Sequence, residues 1–74
     1  MTLSSMALAD EIRMVERHVE LGERHISRQL GLIRHLDHEG LPVTQAMEFL
    51  HLLEDMQALH RLHLSRLLRK AGGQ

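Results

Sequence analysis

The chain contains no cysteine, tryptophan or tyrosine, a single phenylalanine (Phe49) and a single proline (Pro42). Without cysteine there is no disulfide framework and no thiolate-ligated zinc or iron–sulfur site. A very small fold thereby loses the usual staples that compensate for a thin core. The scarcity of aromatic and β-branched residues argues against a sheet. It also removes the stacking platforms on which single-stranded nucleic acids are held. Nine Lys plus Arg against ten Asp plus Glu leave a formal net charge of −1, so there is no basic excess to attract a nucleic acid. Only Arg61, Arg66, Arg69 and Lys70 cluster, near a helix C-terminus, where cations are favoured in any case. No run approaches the ~20 apolar residues that a membrane span needs. Residues Met1–Asp10 lack the positive n-region of a signal peptide. The expectation is a cytoplasmic protein with neither nucleic-acid nor membrane partners.

What is present is leucine, with isoleucine, valine and methionine, inside a composition that is 43% hydrophobic and 26% charged. That balance is globular rather than disordered, and its apolar part favours helix. The 74 residues suffice for one small domain. One break stands out, Gly40-Leu41-Pro42, which joins a residue tolerant of positive φ to one without an amide hydrogen. Gly40 as the first residue past a helix, with Leu41 reaching back to Leu36, is the pattern of a Schellman motif. Thr44 is the expected N-cap of the next helix, with Pro42 at the first helical position as the rival. The spacing predicts helix 1 over about 6–39, capped by Ser4 or Ser5, a loop over 40–44, and helix 2 over about 45–70, ended by Gly72-Gly73.

Leu8, Ile12, Val15, Val19, Gly22, Ile26, Gln29, Ile33 and Leu36 follow one another at alternating spacings of four and three. Ala46, Leu50, Leu53, Gln57, His60, Leu64 and Leu67 do the same. Each is a heptad seam, and two seams joined by a short loop make an antiparallel all-α hairpin. Beside each seam runs a second stripe: Met14, His18, Leu21, His25 and Leu32 on the first helix, and Phe49, Leu52, Met56, Leu59 and His63 on the second. A lone hairpin would leave both stripes in water, and such a patch marks an association surface. The expected assembly is a homodimeric four-helix bundle or a higher oligomer, its interface formed by Met14, Leu21, Leu32, Phe49, Leu52, Met56 and Leu59; a helix from a different protein on the second stripe is the other option. Arg13, Glu16, Arg17, Glu20, Arg24 and Arg28 make up the solvated remainder, with Glu20 and Arg24 spaced to pair at i, i+4.

Seven histidines are the compositional oddity. Folding about Pro42 sets residue i roughly opposite residue 83 − i, so Gly22 should face His60, with His18, His25 and His63 nearby. As structure, this is a polar layer in which glycine makes room for an imidazole and Gln29 and Gln57 supply hydrogen bonds. As a ligand site, His60 and His63 at i, i+3 share a face and His18 or His25 offers a third nitrogen for a metal. Bis-histidine haem ligation is a further option, without a c-type attachment motif, and histidine also senses pH. Glu48 and His51 match the Glu-x-x-His spacing of di-iron bundles, but lie off the seam. No serine, threonine or lysine has a neighbouring base, and no glycine-rich phosphate loop is present. The expected protein is therefore not an enzyme and needs no cofactor; the alternative is a small metal- or haem-binding bundle using His18, His25, His60 and His63.

The runs His18-Val19-Glu20-Leu21-Gly22-Glu23-Arg24-His25-Ile26-Ser27-Arg28-Gln29 and Leu59-His60-Arg61-Leu62-His63 resemble a group of short, uncharacterised bacterial helical-hairpin proteins. Their shared pattern is H-V-x-x-G-E-x-H-I-x-R-Q followed by L-H-x-x-H. The resemblance spans both helices and implies a bacterial cytoplasmic origin. It also suggests that His18, Gly22, His25, His60 and His63 act as a unit, without implying an activity.

Overall fold

The computed structural model describes residues 3–72. It consists of helix α1, Leu3–His38, and helix α2, Thr44–Ala71, packed antiparallel. The body measures 57 × 15 × 13 Å. A 36-residue helix rises roughly 54 Å, so α1 alone sets the long dimension. The 28-residue α2 stops short of it, and the N-terminal end of α1 overhangs.

The turn forms as the Schellman pattern requires. Gly40 sits at φ 71°, a conformation that strains any residue with a Cβ. The amide of Leu41 donates to Leu36 O at 2.9 Å and that of Gly40 to Asp37 O at 3.0 Å. Two of the orphan carbonyls at the end of α1 are thereby satisfied. The start of α2 differs from expectation. Val43, not Thr44, occupies the N-cap position, with no side-chain hydrogen bond, and Pro42 precedes the helix. Val43 lies three residues before Ala46, continues the heptad seam and is half-buried. Its burial outweighs a hydroxyl cap of ~1 kcal/mol. Helix α1 begins at Leu3, so the backbone of Ser4 and Ser5 is already helical and neither residue caps it. At the other end Gly72 caps α2, its amide donating to Leu68 O at 3.0 Å; Gly73 lies outside the described residues.

Burial follows the two seams. Every seam residue of α1 from Leu8 to Leu36 is buried or half-buried. Elsewhere on that helix, from Met6 on, only Ala9 and Gly31 escape full exposure. On α2 the seam residues are again the covered ones, joined by Met47. The most buried apolar side chains are Val15, Leu50 and Leu67, and no large side chain among the described residues is completely enclosed. Two buried residues are polar, Gln29 and Gln57. Among the described residues no helix is long and apolar enough to cross a membrane.

Candidate functional site

The two glutamines set the register of the hairpin. Gln57 Nε2 donates to Val19 O at 2.8 Å, and Gln29 Nε2 donates to Ala46 O at 2.9 Å. Each amide therefore reaches a backbone carbonyl of the other helix, and a slip by one turn would lose both bonds. Gly22 makes the first of these possible. A Cβ there would stand 2.7 Å from Gln57 Cδ and closer still to Oε1. The Gly22 hydrogen occupying that place points at Oε1, a weak Cα–H···O contact for an oxygen otherwise excluded from water and unpartnered.

This corrects the expected layer. Gly22 faces Gln57, one turn before His60, because arithmetic about the proline cannot resolve a slip of one turn between two heptad seams. The glutamines bond backbone rather than imidazoles. The histidines are correspondingly dispersed. His60, half-buried in the seam, meets His18 with ring centroids 5.4 Å apart and planes tilted by 40°. Its Nδ1 is shut away from water with no hydrogen-bond partner. His25 lines the same groove as these two but stands two turns from His18, ~10.5 Å along the axis. His63 Nε2 lies 3.6 Å from Glu11 Oε2, with both side chains about half exposed. Among the described residues no three His, Cys, Asp or Glu side chains gather in a way that could hold a metal ion. Glu48 and His51 are both exposed.

The groove of about 300 Å³ is lined by His18, Leu21, Gly22, His25, Leu53, Met56, Gln57 and His60. A second depression of about 530 Å³ continues it toward the loop, between His25 and Arg28 on α1 and Phe49, Leu53 and Met56 on α2. Arg28 borders this depression while remaining exposed, as expected of the solvated remainder. The two depressions lie on one flank of the seam, the flank that carries the second stripe of each helix. There Met14, Leu21, Leu32, Phe49, Leu52, Met56 and Leu59 are between 43% and 66% exposed. The opposite flank is bridged by a pair between Arg61 and Glu23 at 2.6 Å and exposes fewer large hydrophobic residues, Leu30 and Leu68. The expected Glu20–Arg24 pair does not form, whereas Arg13 pairs with Asp10. The glutamine–glycine lock was the feature that sequence reading missed, although its trace was visible in Gly22, Gln29 and Gln57 as the breaks in otherwise apolar seams.

Comparison with protein-family models, with curated proteins and with solved structures returns no match.

Proposed function

We propose that this chain is a non-catalytic, self-associating helical module of the bacterial cytoplasm, whose working form is a homodimeric four-helix bundle. The observation that carries the reading is the flank on which both helices concentrate their exposed large hydrophobic side chains. Seven of the twelve large hydrophobic residues exposed among the described residues lie there, Met14, Leu21, Leu32, Phe49, Leu52, Met56 and Leu59; the other five are scattered, and singly scattered ones need no explanation. The hairpin's own core supports the same reading, since among the described residues only Val15, Leu50 and Leu67 are buried apolar residues.

A second copy fits this flank better than an unrelated partner. A two-fold interface uses the same patch on both subunits, so the patch must be complementary to itself. Because the stripe runs along both helices, any two-fold stacking sets apolar on apolar. The flat area reaches the lower end of the range for stable interfaces. A strip as long as α2 and as wide as the 15 Å body offers roughly 600 Å² before side chains interdigitate, against about 800 Å² per partner in a standard interface. Light scattering at micromolar concentration checks the assembly. Twice the 8.5 kDa chain mass is the expected result, and a folded monomer would exclude the dimer.

A further inference from the structure

We infer that His18 and His60 are half of a site for a divalent transition cation, completed by imidazole from a second copy of this chain. The inference rests on the dimer reading above. Two imidazoles bound to one tetrahedral ion at 2.0–2.1 Å per bond hold their ring centroids about 5 Å apart. The rings of His18 and His60 stand 5.4 Å apart already, brought from different helices to one mouth of the groove. His60 also carries the one unpartnered buried imidazole nitrogen among the described residues, Nδ1. Rotating the ring about χ2 exchanges its Nδ1 and Cδ2 edges, so a ligand at the groove can relieve that orphan.

One chain cannot complete the set. No third ligand lies within reach among the described residues, since His25 is too far along α1 and His63 is turned to Glu11. The groove, however, lies midway along the apolar flank, where a two-fold axis would fall. If that axis runs along the bundle, it stacks the His18–His60 pair of one copy on the same pair of the other, giving four imidazoles. If it crosses the bundle at the level of Gly22, midway between His18 and His25, it carries the partner's His25 to the pair and gives three. Imidazole sets of this size suit zinc, cobalt, nickel or copper. The Leu21, Leu53 and Met56 walls would keep water from the ion.

Cobalt(II) added to the untagged full-length protein is the probe, because a tetrahedral nitrogen site gives it visible absorption; light scattering on the same samples reads the assembly. The expected result is one ion per dimer for the four-imidazole arrangement or two for the three-imidazole one, with tighter dimerisation in its presence. His18→Gln, on an exposed residue, should fold normally and weaken cobalt binding by at least ~100-fold; His60→Gln should do likewise. His51→Gln, an exposed change outside the groove, should leave binding intact. A dimer that shows no cobalt spectrum overturns the metal site and leaves the assembly standing. A chain that stays monomeric with and without cobalt overturns both. Binding that survives His18→Gln and His60→Gln undiminished assigns the ion to other residues and also sinks the inference.

Discussion

The two flanks of the hairpin share the same pair of helices and the same seam, yet follow opposite rules. On one, the half-exposed Glu23 and Arg61 bridge the helices, and only Leu30 and Leu68, one heptad on from each, are large hydrophobic residues exposed beside them. On the other, leucine, methionine and phenylalanine stand exposed beside a groove floored by glycine and rimmed by histidine. A monomeric hairpin would have no reason for the asymmetry, since both flanks border the seam equally. The difference is what the proposed dimer would use, setting the second stripes of two copies together as a core additional to the seam.

The most damaging change to that contrast is Leu52→Lys with Leu59→Lys. Each leucine is worth about 1.5–3 kcal/mol when fully buried, and a dimer loses four of them. Dissociation by at least ~100-fold in Kd, with falling helicity by circular dichroism, is expected. The matched pair on the polar flank, Ala58→Lys with Ser65→Lys, should leave the assembly unchanged. Equal effects from the two pairs would remove the distinction between the flanks.

Next in size is Gly22→Ala. Alanine improves an exposed helix by up to ~1 kcal/mol. Here the methyl must expel the Gln57 amide from its bond to Val19 O, and a buried donor left without its acceptor costs ~1–3 kcal/mol. Net destabilisation by about 1–2 kcal/mol in urea is expected. In a Gln57→Ala background the same substitution should become neutral or favourable, and a coupling near zero in that double-mutant cycle would mean the two do not interlock. Gly40→Ala, at φ 71°, should cost about 1 kcal/mol, read as a shift in urea midpoint at unchanged slope. Smallest is Glu23→Gln. Its pair with Arg61 is more than half exposed, so a loss within ~0–1 kcal/mol that vanishes in high salt is expected. A larger effect would make the polar flank a structural partner of the seam rather than a solvated edge.

Much of the fold was legible because helix periodicity is a local property. The residues from Leu8 to Leu36 and from Ala46 to Leu67 declare which side of each helix is covered, and Gly40-Leu41-Pro42 declares where the chain reverses. The register was not legible. A heptad seam repeats every two turns, so sliding one helix by a turn still sets apolar on apolar, and the pairing of Gly22 with His60 or Gln57 looks equally good on paper. Only the reach of an amide to Val19 O separates the two. The cap at Val43 was missed because local hydrogen bonding favours Thr44, while burial along the seam favours the residue before it.

The sequence by itself determined that this chain is two helices with a covered seam and a second apolar stripe on each. Those properties follow from the order of side chains along a 3.6-residue repeat and need no knowledge of the partner helix. Tertiary structure alone decided that both stripes share one flank, that Gln57 rather than His60 fills the space over Gly22, and that His18 is the histidine His60 meets. Each of these depends on axial offset and rotation between helices, which are set by the close approach of Gln57 to a backbone with no side chain in the way.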